Sequence, residues 1–277
     1  SLSAIPAKRK KIPIFHMEAG NRCFDLRVPE EINRRIVDVI SDINLTYSDI
    51  ARQYLISEGF DKNRIINTGS PMKEVLGFYR DKIDDSSILN ELGIEEHQYF
   101  LVSVHREENV DNESRMKMLP DILSNLSLDF GLPVIVSTHP RVKKKIKESK
   151  LEFTGDIRFL EPFGFTDYCN LQINSRCVLS DSGTITEESS ILNFPALNLR
   201  VSHERPEGLE EGAVMSVGFS TRKIWNALCI LKNQPRGFTR GIKIVRDYDT
   251  DNVSEKIARA ILGNIDLVNQ NVWREEI

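Results

Sequence analysis

Short apolar runs alternate with amphipathic stretches along most of this chain. Ile12–Phe15 predicts a buried strand that opens into the loop His16-Met17-Glu18-Ala19-Gly20. Pro29-Glu30-Glu31 then starts a helix: proline suits a first turn, the acidic residues sit by the positive end of the dipole, and Ile32, Ile36, Val39, Ile40 and Ile43 fall on one face. A strand at Leu45–Tyr47, a helix over about 48–58 and a strand at Arg64–Asn67 follow. These residues supply about three strands, half of an ordinary parallel sheet.

Asn67-Thr68-Gly69-Ser70-Pro71 reads as a hinge, with a helical connection through Tyr79. A second series then runs without interruption. Its strands are expected at Phe100–Val104, Pro133–Thr138, Arg158–Leu160, Cys177–Ser180, Ala196–Leu199 and Ala213–Val217. Helices are expected over about 113–126, 165–173 and up to Leu192, with a terminal helix at Val253–Leu262. Strand, loop and helix in this repetition imply an α/β fold of doubly wound parallel sheets, with ligands at the carboxyl ends of the strands. The expected organisation is a partial Rossmann-like domain over 1–72 carrying carboxylates, a Rossmann-like nucleotide-binding domain over 73–250, and a helix over 251–277 packing back on the first domain.

Composition narrows the classes. The 277 residues carry a formal net charge of -4, where a nucleic-acid partner calls for a basic footprint. An anionic ligand must therefore be gripped by local donors. Four cysteines lie far apart without a CxxC pair, as expected of reduced, mostly buried thiols in a cytoplasmic protein. No apolar run approaches the roughly 18 residues of a membrane span. The chain opens at Ser1 without methionine and runs straight into core-like sequence, which reads as the middle of a domain.

Four places carry candidate chemistry. In Cys177-Val178-Leu179-Ser180-Asp181-Ser182-Gly183-Thr184 a buried strand meets a small-residue turn and then a helix. The N–H groups at such a helix start bind anions, Ser182 and Thr184 add hydroxyls, and Glu188 stands one turn on, placed to accept ribose hydroxyls. A plain capped helix with an acidic face fits the same residues. Arg205, in His203-Glu204-Arg205-Pro206-Glu207-Gly208, can fork onto phosphate oxygens or form a surface ion pair. His105 ends a strand, either facing a diphosphate or bonded to backbone. Glu18 and Glu30 can face each other as paired carboxylates, although Glu30 equally suits a first-turn role alone. His16 and Glu18 lack further ligands at metal-binding spacing, so no metal is expected.

Together HMEAGNR, VPEEINR, TGSP, VHREEN, LSDSGTITEE and HERPEG, in that order over nearly the whole chain, resemble the non-hydrolysing UDP-N-acetylglucosamine 2-epimerase family. The resemblance implies a GT-B-like pair of Rossmann-like domains, the N-terminal one incomplete, with the active site in the interdomain cleft. It implies a UDP-sugar substrate, no cofactor and a homodimer. It further implies that C2 is inverted by loss and re-addition of UDP through a 2-acetamidoglucal. By motif, Glu18 and Glu30 become acid/base groups, and His105 an active-site histidine at the diphosphate. Ser182, Gly183 and Thr184 become the phosphate turn, Glu188 the ribose ligand and Arg205 the arginine of the ERPE run. Phe163 and Tyr168 would line the uracil pocket.

Thr184 departs from the family pattern, where a second glycine is frequent. The family's glycine-rich opening turn and its GDT loop have no counterpart after Ser1, so this extent of chain is expected to be inactive or nearly so by itself. HREEN, FGFTDY and SHERPEG look more like the branch forming UDP-N-acetyl-L-fucosamine. Competing expectations are a GT-B glycosyltransferase, a hydrolysing relative, and a nucleotide-binding fragment without activity.

Overall fold

A computed structural model of the chain describes residues 2–200, 202 and 204–274. It divides into two units: the described residues of 1–77, 202–207 and 245–277, and those of 78–201 and 208–244. The division differs from the sequence boundaries at three places. Residues 73–77, 202–207 and 245–250 fall in the first unit, because chain connectivity alone does not reveal where a segment packs.

The first unit holds three parallel strands in the order β1 (Phe15–Met17), β2 (Ile43–Thr46), β3 (Ile65–Asn67). Pro13 lacks an N–H to donate, and the run expected at Ile12–Phe15 begins pairing only at Phe15. One core cluster unites Ile43 and Leu45 of β2 with Val268 of the helix Val253–Trp273; another unites Ala19, Leu55 and Ile65. The helix Pro29–Ile40 has its proline in the first turn beside Glu30 and Glu31. Its orientation is a surprise. The apolar residues Ile32, Ile36 and Val39 are 45%, 39% and 70% exposed, while Glu31 and Asp38 are completely buried. Ile43, expected on this helix, lies in β2. The inward face is fixed by ion pairs instead of apolar burial.

The second unit is a six-stranded parallel sheet: β4 (Phe100–Ser103), β5 (Val134–Ser137), β6 (Ile157–Leu160), β7 (Cys177–Ser180), β8 (Ala196–Asn198) and β9 (Met215–Ser216). The spatial order is β6-β5-β4-β7-β8-β9. After β4 the chain winds outward through β5 and β6, then returns to pair β7 against the other side of β4. The loops leaving β4 and β7 therefore diverge at the point where strand order reverses, which opens a crevice at their carboxyl ends. Beneath it lies a continuous core that includes Phe100, Val102, Val134, Val136, Cys177 and Leu179. The helix Glu113–Phe130 covers part of this core. Its first turn is capped by the Asn112 side chain accepting from Arg115 N–H at 3.1 Å, and it stops at Gly131, whose φ of 64° is left-handed.

Candidate functional site

The two loops at the strand reversal are built from opposite ends of one pattern. After β7 the chain runs through Asp181, Ser182, Gly183 and Thr184 into the helix Ile185–Leu192. Ser180 Oγ accepts the Ser182 N–H at 3.0 Å, and the Ser182 and Thr184 hydroxyls lie 3.0 Å apart. Thr184 Oγ1 donates to Glu188 Oε1 at 2.7 Å, while Gln172 Nε2 donates to Glu188 Oε2 at 2.5 Å. Each Glu188 oxygen thus accepts a hydrogen bond. Ser182, Gly183 and Thr184 remain partly exposed, whereas Ile185 to Ser190 are buried. A partly exposed helix start with hydroxyls on both sides of a glycine has the chemistry of an anion cradle.

After β4 comes His105, and beneath it lies Asp181, fully buried. The Asp181 carboxylate accepts the backbone N–H of His105 at 3.0 and 3.2 Å, that of Arg106 at 3.0 Å and the Asn109 amide at 2.9 Å. His105 Nδ1 stands 3.1 Å from Asp181 Oδ1. Burial alone would raise the carboxyl pKa, but the bonds and charge from His105 and the Asn109 amide outweigh it, and the pKa is lowered. Tyr168, on the helix Phe165–Asn174, completes this side, its hydroxyl near Ser103 and Ser180 at the ends of β4 and β7. Burial, with the charge of Glu188 next, pushes its phenol pKa up. Phe163 lies on the partly exposed loop just before the helix Phe165–Asn174.

The first unit presents a different kind of chemistry. Glu18 follows β1 with φ of 62°, a left-handed conformation unusual for a residue with a side chain. Its Oε1 lies 3.3 Å from Arg205 Nη2 and 3.8 Å from Arg34 Nη2, and accepts from Asn21 Nδ2 at 3.2 Å. Arg34 also meets Glu204 at 3.1 Å. Arg205 groups with Glu18, an ion pair being one of the two roles its sequence position allowed; His203 of the same run lies outside the described residues.

The Glu18 loop hangs from a buried ionic network. Asp38 accepts from the Gly20 N–H, contacts His16 Nδ1 at 2.8 Å and pairs with Arg22 at 2.7 Å. Arg22 is itself fully buried and forks onto Glu58 at 2.9 and 2.6 Å. Burial would lower the Arg22 pKa, but Glu58 and Asp38 raise it, so the guanidinium stays charged. Glu31 accepts the Cys23 N–H and Arg35 Nε, each at 2.9 Å. Glu30 is exposed in the first turn of its helix.

Local sequence pattern did not single out Asp38, Arg22, Arg34, Asp181, Asn109 or Gln172. One signal was available for Asp181: a carboxylate directly after a fully apolar strand, where burial is costly unless donors converge on it. Among the described residues, no group of three or more His, Cys, Asp and Glu side chains gathers as metal ligands. Within the same residues no helix is long and apolar enough to cross a membrane. All four cysteines are free, Cys169 and Cys177 buried and Cys229 exposed.

A six-stranded parallel sheet whose order reverses at β4 and β7 is the arrangement of the doubly wound α/β proteins. The chain is a member of the UDP-N-acetylglucosamine 2-epimerase family, whose sequence model matches residues 1–262. It is 35% identical over 243 residues to the UDP-N-acetylglucosamine 2-epimerase of Methanocaldococcus jannaschii, covering 85% of this chain and 66% of that protein. A solved structure of UDP-N-acetylglucosamine 2-epimerase from Rickettsia bellii is 48% identical, with a TM-score of 0.91 over 99% of this chain and 73% of its own. A Methanocaldococcus jannaschii UDP-GlcNAc 2-epimerase solved with UDP-GlcNAc and UDP gives a TM-score of 0.84 at 32% identity, over 94% and 72% of the two chains. The fold is GT-B-like α/β with parallel Rossmann-like sheets. The chain spans just under two thirds of the archaeal relative's length.

Proposed function

We propose that the protein carrying this chain is an isomerase that inverts C2 of a UDP-N-acetylhexosamine. The C2 proton is not next to a carbonyl, so it cannot be removed as an ordinary carbon acid. A base takes it while its electron pair forms the C1–C2 double bond and the C1–O bond breaks, its pair leaving with UDP. UDP then adds back to C1 of the 2-acetamidoglucal and a proton reaches the other face of C2. Glu18 and Glu30 serve as the acid/base pair. His105 and the turn Ser182-Gly183-Thr184 receive the diphosphate as charge develops on it. Glu188 takes the ribose hydroxyls, with Phe163 and Tyr168 against the base. Arg205 binds substrate beside Glu18.

The observation that carries this reading is the convergence of His105, Asp181 and the Ser182 turn at the one place where the six-stranded sheet reverses its order. The relatives solved with UDP-GlcNAc support it from outside the chain. The sugar is UDP-GlcNAc interconverting with UDP-ManNAc, or a UDP-2-acetamido-2,6-dideoxy-L-talose giving UDP-L-FucNAc; the HREEN, FGFTDY and SHERPEG runs favour the second. We place the enzyme in the cytoplasm as a homodimer, supplying precursors of cell-surface polysaccharide.

The test is incubation in D2O with each UDP-sugar and no acceptor. Deuterium appearing at C2 of one of them, with the second epimer, is the expected result. Sugar released free, or transferred only when an acceptor is added, would replace this reading with hydrolysis or glycosyl transfer.

A further inference from the structure

The Asp181 carboxylate does more than end a strand. It binds the backbone N–H of His105 and, through the same oxygen, faces that residue's own ring nitrogen Nδ1. Main chain and ring thereby meet at one fully buried carboxylate, which draws the half-exposed ring towards it. The neighbouring donor is oriented as well. Asn109 Oδ1 accepts from Arg115 at 2.8 Å, so its amide nitrogen must point to Asp181, where it lies at 2.9 Å. Arg115 also donates to the Glu108 carbonyl at 2.8 Å, anchoring the loop to the helix Glu113–Phe130.

An ionised carboxylate only accepts hydrogen bonds. With Nδ1 only 3.1 Å from Asp181 Oδ1, a bare nitrogen would set two lone pairs against each other, so the close approach favours a hydrogen on Nδ1. We infer that Asp181 is a positioning residue that fixes His105 as the Nδ1–H tautomer and leaves Nε2 as the nitrogen that meets the departing diphosphate. Assigning the diphosphate as the group met by Nε2 rests on the proposed function; the tautomer itself does not. An imidazole held this way presents Nε2 as its free acceptor.

The decisive measurement is the 15N spectrum of the histidine rings. The chain has five histidines, and His105→Gln assigns the signal. The expected wild-type result is a protonated Nδ1 and a bare Nε2 in neutral His105. In Asp181→Asn the amide can donate to Nδ1, so the proton should move to Nε2. Exchange at C2 should then lose kcat by on the order of 100-fold with KM little changed. A bare Nδ1 in the wild type overturns the inference without any variant, should Asp181→Asn not fold. So does a variant whose tautomer or kcat is unchanged. Wild-type protein that catalyses no exchange but shows Nδ1–H would sink the proposed reaction and leave the tautomer assignment standing.

Discussion

Removing the Asp38 carboxylate should cost more than almost any single change elsewhere in the first unit. Asp38 is fully buried and serves Arg22, His16 and the Gly20 N–H at once. In Asp38→Ala the buried Arg22 keeps Glu58 but loses its other carboxylate, and breaking such a pair costs about 3–5 kcal/mol. The stranded Gly20 N–H adds about 1–3 kcal/mol, although the two losses share one site and do not simply add. A total near 4 kcal/mol is about a third of a typical domain's stability. At about 2–4 °C per kcal/mol, the melting temperature should fall by roughly 8–16 °C.

Thermal and urea unfolding of the two single variants Asp38→Ala and Asp38→Asn measures this directly. The asparagine keeps an acceptor for Gly20 and should lose less. A third protein tests the cause. If the penalty comes from the uncompensated guanidinium, Asp38→Leu combined with Arg22→Met should recover at least about 1 kcal/mol relative to Asp38→Ala. A loss below about 1 kcal/mol in Asp38→Ala, or a double variant weaker than the single, would refute the reasoning.

Gly20→Ala should destabilise by about 2–5 kcal/mol in the same unfolding assays, since φ is 76° and the new Cβ would lie 2.4 Å from the Ala51 carbonyl oxygen. Glu188→Gln should weaken UDP binding about tenfold or more by calorimetry while leaving pyrophosphate affinity unchanged; equal loss for both would remove the ribose role. Burial pushes the Cys169 and Cys177 thiols up to about 12, so native alkylation followed by mass spectrometry should find exposed Cys229 modified first and these two protected. Above the ordinary thiol value of 9.0 the unfolded chain loses those protons and the folded chain keeps them, so stability should fall as pH climbs from about 9 towards 12. Cys→Ser at both positions should flatten that slope.

Much of the second unit was legible because its strands are apolar throughout and bounded by turn residues. Cys177–Ser180 was located to the residue, and the strands at Phe100 and Val134 to within one residue at each end. The strand expected at Ala213–Val217 shrinks to Met215–Ser216, at the edge of the sheet, where only one neighbour supplies pairing. Periodicity failed on the helix Pro29–Ile40 for a physical reason. It reports that apolar residues share a side, not that this side faces the core, and here charged groups recruited from residues 16, 22 and 58 hold the other side inward. Apart from Glu31–Arg35 within the helix, these ion pairs join positions 16 to 23 residues apart, with no helical spacing to betray them. The same holds for Arg205, whose partner Glu18 lies 187 positions away.

β4 and β7 lie side by side although Phe100 and its partner Cys177 are 77 positions apart (177 − 100). Closing that span costs chain entropy before any contact repays it, and long-range parallel pairing of this kind is slow. The turn proposed to receive the diphosphate takes shape only once the pair has closed. Refolding followed with a fluorescent uridine nucleotide should therefore lag behind recovery of helical circular dichroism, with binding appearing only in the slowest phase.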